Sequence, residues 1–169
     1  MKYLIILLAV VVSYSPTIEI EDDNLYTCTF QEITVVAEHP DKELIAKVIY
    51  SEGSIGMEDY LAIGEVIMNR VTRKNKSIKE VIFAKHQFNG VGSRKWNKKP
   101  TTNAELEQWN YALYCADLAY YGSNTIPDYI LYFHNRSIAT NIKHINSVKL
   151  WKKIGQHEFC YKIRKGISS

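Results

Sequence analysis

Pro40-Asp41-Lys42-Glu43-Leu44-Ile45-Ala46-Lys47-Val48-Ile49-Tyr50-Ser51-Glu52-Gly53 is the stretch on which the fold turns. Proline suits the first turn of a helix, and Asp41 and Glu43 complement the positive end of its dipole. Leu44, Ile45, Val48 and Ile49 recur at the spacing of one apolar helical face. Gly53 should then close the helix in the left-handed geometry that glycine accepts. Glu52 falls at the negative end of the dipole, after Tyr50 and an apolar stripe. Both settings disfavour a charged carboxylate, so its pKa is expected to rise. A carboxylic acid still protonated near neutrality is what glycosidic cleavage requires, because the leaving sugar oxygen must receive a proton. The plainer alternative is an exposed acid beside a helix-ending glycine.

Outward from this stretch, a second helix is expected from about Glu58 to Arg73, with Leu61, Val66, Ile67 and Val71 inward. Ser77-Ile78-Lys79-Glu80 and Thr102-Asn103-Ala104-Glu105 both match a capping box. The first opens a short helix, and the second a long one running to about Tyr121 and closed by Gly122. His86 to Pro100 lacks a clear period and reads as a surface loop. Tyr129 to Phe133 and Glu158 to Ile163 read as strands, and Leu25 to Val36 as a strand or short hairpin. Tyr111, Tyr114, Leu118 and Tyr121, at helical spacing, are expected to pack into the core and not to form a sugar platform. The expected fold is mostly helical α+β, with a single domain over about residues 41–163, a tether over 16–40 and a short tail over 164–169.

The chain has 169 residues, 46% of them hydrophobic, which is enough apolar material for one packed domain and excludes a mainly disordered chain. Leu4 to Val12 is its one long apolar run, nine residues. A membrane-spanning helix needs roughly 20, so the run fits a secretory signal peptide over residues 1–15, or an N-terminal anchor if it is not cleaved. Export and membrane contact through this segment alone are therefore expected. Charge is unevenly distributed. Residues 17–65 hold 12 acids and two bases, whereas residues 70–99 hold 10 bases and one acid. The basic half suits an anionic envelope polymer, or is a solvated face balanced by the acidic half. No recognised helix or aromatic motif supports nucleic-acid binding. Cys28, Cys115 and Cys160 are too few for a disulfide framework, and Cys115 is expected to be buried. His86, His134, His144 and His157 match no compact metal motif, so neither a metal nor another cofactor is expected. His157 is expected to make a structural hydrogen bond near the C-terminal strand, and His134 to line a cleft. A monomer is expected.

Several segments together carry a more specific signal. Ala46 to Gly53, Ala62, and Val66-Ile67-Met68-Asn69-Arg70-Val71 resemble the SleB/CwlJ-type cell-wall hydrolase family, in which one helix ends in Tyr-small-Glu-small and a second in Asn-Arg-Val. Gln87-Phe88-Asn89-Gly90-Val91, Leu131-Tyr132-Phe133-His134-Asn135 and Ile154-Gly155-Gln156-His157-Glu158-Phe159 follow in the same order. The resemblance spans about residues 43–161. It departs from the family pattern at Ser54-Ile55-Gly56, where Arg-Gly-Glu is usual, and at Asn135-Arg136, where Asn-Pro is usual. It implies a lysozyme-related fold and cleavage between N-acetylmuramic acid and N-acetylglucosamine in peptidoglycan, with Glu52 in the position of the catalytic Glu. Family members that are lytic transglycosylases use that one carboxyl as acid and then base, leaving an anhydro-sugar.

The expected glycan contacts are Tyr50, Phe88 and Tyr132, the last two for ring faces, Asn69, Asn89 and Asn135 for acetamido groups, and His134 in the cleft. The rival reading is a two-carboxylate muramidase, in which Glu65, Asp117, Glu58 or Asp59 would face Glu52. A non-catalytic wall-binding or phage structural module is the rival of another class.

Overall fold

In the computed structural model, which describes residues 39–54, 56–135 and 147–162, the deciding stretch is a helix, α1 (Pro40–Glu52). The ring Nδ1 of His39 caps it by accepting the Asp41 N–H at 3.2 Å. Gly53 ends it, but in extended backbone (φ −67°, ψ 145°) and not in the left-handed cap expected. Glycine is required here by contact: a Cβ would run into the ring of Tyr60 and lie 2.7 Å from the Ile49 carbonyl oxygen.

The second helix, α2 (Met57–Lys74), extends one residue beyond the expected span at each end, and left-handed Asn75 closes it. Both capping boxes form, at the starts of α3 (Ile78–Ile82) and of the long C-terminal helix. Between them, the stretch expected to be loop contains a single helical turn, α4 (Arg94–Asn97), capped by the Ser93 hydroxyl. The long helix is α5 (Asn103–Tyr120).

The core lies where α1 packs against α2 and α5. Ile45, Val48 and Ile49 of α1 meet Ile63, Val66 and Ile67 of α2, all fully buried. The inward face of α5 is small: Ala112, Leu113, Cys115, Ala116 and Ala119. This overturns the expectation for its tyrosines. Tyr111, Tyr114 and Tyr121 are 40%, 44% and 71% exposed, and Leu118 is half-buried. The alanine face turns inward against α1 and α2, and the tyrosines are left outside. Buried Lys42 ties α1 to the end of α5, its Nζ donating to Asp117 Oδ1 at 2.6 Å and to the Tyr121 hydroxyl at 3.0 Å. The Asp117 partner holds the Lys42 pKa above its ordinary value.

Three antiparallel strands complete the fold: β1 (Tyr132–His134), β2 (Val148–Ile154) and β3 (His157–Lys162), in the order β1-β3-β2. Phe133 faces Phe159, His134 faces Glu158, and Ile154 faces His157 across the ladders. β1 starts later than the sequence suggested, and β2 was not expected. Lys149, Lys152 and Lys153 interrupt its apolar alternation, and the register shifts between Leu150 and Lys152. Among the described strands β2 lies at the sheet edge, with all three lysines exposed.

The mostly helical α+β class is as expected. Cys115 is buried, as anticipated, and burial pushes its thiol pKa up to about 12. Residues 1–38, with the apolar run, the expected tether, its strand or hairpin and Cys28, lie outside the described residues. So does the expected tail. Among the described residues no helix is long and apolar enough to cross a membrane.

Candidate active site

Glu52 is the last residue of α1, and the segment between α3 and α4 folds back onto it. The Gly90 N–H donates to Glu52 Oε1, and the Asn89 backbone N–H also acts on the carboxyl. A side chain at position 90 would strike Ser51, and its Cβ would sit 3.1 Å from Glu52 Oε1. Burial raises the Glu52 pKa; the Gly90 N–H, His157, Arg70 and the Asn89 N–H pull the other way without reversing the shift. With Oε1 committed to an N–H donor, the acid proton belongs on Oε2.

Three elements supply the surroundings. From α2 comes Arg70, only 4% exposed, its Nε donating to the Leu131 carbonyl at 2.7 Å. Its guanidinium lies 4.9 Å from the centre of the Phe88 ring and 5.8 Å from that of Tyr132, and its Nη1 is buried without a hydrogen-bond partner. Burial lowers its pKa to about 10, so it remains a cation at neutral pH. From β1, Phe133 packs against Phe88 at 6.1 Å. The His134 side chain is half-buried, its Nε2 lying 3.3 Å from Glu158 Oε2. From β3 comes His157, whose Nδ1 approaches buried Asp59 at 2.9 Å.

Asp59 also accepts the Ser54 N–H and hydroxyl, each at 2.8 Å, and the Ser54 hydroxyl accepts the Gln156 N–H at 3.3 Å. The turn between β2 and β3 is thereby fastened to the segment that follows Glu52. His157 makes the structural hydrogen bond expected of it.

Of the residues singled out in the sequence, Glu52, Phe88, Asn89 and Tyr132 gather around Arg70 and the α1 end. Asn89 contributes its backbone while its side chain is exposed, and Phe88 forms a buried floor. Asn135 is half-buried and donates to Gln156 Oε1 at 3.3 Å. Two expectations are corrected. Tyr50, two residues before Glu52, lies on another side of the helix. It is 5% exposed, packed edge-on to Trp109 with Lys95 4.4 Å over its ring, so it offers no ring face to a sugar. Asn69 spends its amide protons on the Pro127 and Ile130 carbonyls at 3.1 and 3.2 Å, pinning α2 to the segment before β1.

Three of the four other candidate acids are committed elsewhere. Glu65, a candidate second carboxylate, is 2% exposed and accepts the Thr125 N–H, the Thr125 hydroxyl and the Ile126 N–H. Asp117 pairs with Lys42, Asp59 is held by Ser54 and His157, and Glu58 is exposed in the first turn of α2. Arg70 and His157 were not put forward as site residues. Both lie inside the motif segments, but Arg70 reads as one more charge in a basic run. Among the described residues no group of three or more His, Cys, Asp or Glu could hold a metal ion.

A mostly helical fold thus holds one partly buried carboxyl at a helix end, beside an aromatic floor. A Cell Wall Hydrolase family profile matches residues 41–160, and the chain belongs to that family of peptidoglycan-cleaving enzymes. It is similar to the catalytic domain of the germination-specific lytic transglycosylase SleB from Bacillus anthracis, at 28% identity and TM-score 0.58, over 71% of this chain and 93% of that one. The catalytic domain of the Bacillus cereus SleB protein matches at 28% identity and TM-score 0.57, over 71% of this chain and 88% of that one. No curated protein sequence matches the chain.

Proposed function

We propose that this enzyme is a lytic transglycosylase that cleaves glycan strands between N-acetylmuramic acid and N-acetylglucosamine, with Glu52 as its sole acid and base. One observation carries the reading: Glu52 is a partly buried carboxyl with a raised pKa, while Glu65, Asp117 and Asp59 are each tied to other partners. In the first step Glu52 Oε2 gives its proton to the glycosidic oxygen, and the bond from that oxygen to the muramic anomeric carbon breaks. The resulting carboxylate is met by the Gly90 and Asn89 N–H groups and by the nearby Arg70 charge. It then takes the proton from the muramic acid's own 6-hydroxyl as that oxygen bonds to the anomeric carbon. Glu52 is reprotonated and a 1,6-anhydro sugar forms, with no second carboxylate or water required. Phe88, Asn89, Tyr132, His134 and Asn135 are the glycan contacts in this reading.

The substrate lies outside the cytoplasm. Residues 1–15 act as the export signal or anchor, residues 16–40 as a tether, and residues 41–163 as the catalytic domain. The test is digestion of purified peptidoglycan by the full-length protein and by Glu52→Gln, with mass spectrometry of the released fragments. Anhydro-muropeptides from the native protein alone are the expected result. Reducing-end products would replace this mechanism with two-carboxylate hydrolysis, and activity unchanged in Glu52→Gln would remove Glu52 from it.

A further inference from the structure

A cavity of about 270 Å³ opens between the start of α2 and the outer face of α5, lined by Gly56, Met57, Tyr60, Gln108 and Tyr111. None of these residues belongs to the Glu52 site. Tyr60 is 2% exposed, and its hydroxyl is buried with no hydrogen-bond partner, an arrangement that folded proteins mostly avoid. Gly56 starts α2 without a side-chain cap, so the first N–H groups of an 18-residue helix are left for another acceptor. At the rim stands Tyr111, 40% exposed, with Tyr114 about one helical turn along and 44% exposed.

The chemistry of the lining selects its ligand. Among the described residues no charged side chain lines the cavity, and the nearest first-turn residue, Glu58, is an exposed acid. A peptide carrying carboxylates therefore meets no cation there. A neutral acetamido sugar meets a complement for each of its parts. Its carbonyl can accept from the α2 N–H groups, its N–H and hydroxyls can pair with Gln108, and the apolar face of its ring can lie on Tyr111. The volume, just below the ~300–1,000 Å³ usual for small-ligand sites, suits a single sugar ring.

We propose that this cavity binds one N-acetylglucosamine-type residue of a glycan strand, as a holding site separate from the bond being cleaved. The inference rests on the glycan-cleaving reading and adds a second point of grip on the same polymer. Tyr60 joins the two places, since its ring packs on Gly53, the residue after Glu52.

The test uses the full-length Glu52→Gln protein titrated with tri-N-acetylglucosamine and followed by NMR of the Gln108 side-chain amide, with affinities by titration calorimetry for it and for Tyr111→Ala and Gln108→Ala in the same background. Unchanged circular dichroism and melting temperature establish that each variant is folded. The trimer should shift the Gln108 amide, and Tyr111→Ala should weaken that binding by about 3- to 10-fold. In the active enzyme Tyr111→Ala should raise KM on intact sacculi and leave kcat unaltered. Shifts confined to Phe88–Gly90 and Tyr132, with both variants binding like their parent, would overturn the proposal. So would a free stem peptide that moves Gln108 where the trimer does not. If the active protein released nothing from peptidoglycan while the trimer still moved Gln108, the catalytic reading would fall and the sugar site would stand.

Discussion

Glu52 and Gly90 are coupled closely enough that each limits what the other position accepts. Gly90→Ala places a methyl against Ser51 and the Glu52 carboxyl, so the acid must shift. Misplacement of a reacting group on this scale costs about 10²-fold in rate, and turnover of sacculi by Gly90→Ala should fall by that order with the fold retained. Burial raises the Glu52 pKa in the folded state, so the fold favours the protonated form. That preference contributes fully below the ordinary carboxylate pKa of about 4.3 and is lost as pH rises through the raised folded value. At neutral pH an unfolded chain ionises Glu52 freely whereas the native state resists that ionisation, so the native enzyme carries a cost that Glu52→Gln does not. Thermal melts should find Glu52→Gln the more stable protein at neutral pH, by roughly 0.5–2 kcal/mol, with the gap closing on acidification. Equal melting temperatures at every pH would contradict this. The sequence made Glu52 legible because a helix end, an apolar stripe and a glycine coincide there. Arg70 was hidden among nine other bases, and burial, which sets it apart, is a property of the folded chain.

At the scale of elements, the helices were readable from their apolar faces and capping boxes, and the sheet was not. β2 carries three lysines and an irregular register, which erase the alternation that marks a half-buried strand. On α5 the sequence misled for a different reason. Both faces of the helix are apolar, and alanine is a weaker signal than tyrosine although it is the alanine face that packs. Besides apolar packing of Ile154 and Phe159, a polar latch of Asp59, Ser54, Gln156 and His157 holds the sheet to the helices, assembled from positions about 100 apart in the chain. His157→Ala leaves a buried carboxylate without its ring partner, and urea unfolding at neutral pH should show a loss of about 3 kcal/mol. His157→Asn, which keeps a donor toward Asp59, should recover part of that loss. A change within experimental error for both variants would mean that the latch is ornamental.

The whole molecule divides its charge, and the structure separates the exposed bases of the basic half from those that are buried or paired. Of the ten bases between residues 70 and 99, Arg70 is buried, Lys95 is half-buried over Tyr50, and Arg73 and Lys98 are paired with Asp128 and Glu105. Lys74, Lys76, Lys79, Lys85, Arg94 and Lys99 remain exposed. We propose that these six attract the anionic polymers of the envelope. Such attraction is screened over about 10 Å at 0.1 M salt, so moderate salt should wash bound protein from intact sacculi, and retention indifferent to salt would count against the idea. The lysine-bearing strand β2 has a consequence of its own. An enzyme adsorbed on an insoluble polymer is crowded against its own copies, the condition under which unpaired strand edges fuse into fibrils. Lys149, Lys152 and Lys153 oppose that fusion, because a second β2 laid alongside would set ammonium against ammonium along its length. The lysines that hid the strand from the sequence are thus also a guard against edge-to-edge joining at what is, among the described strands, the sheet edge.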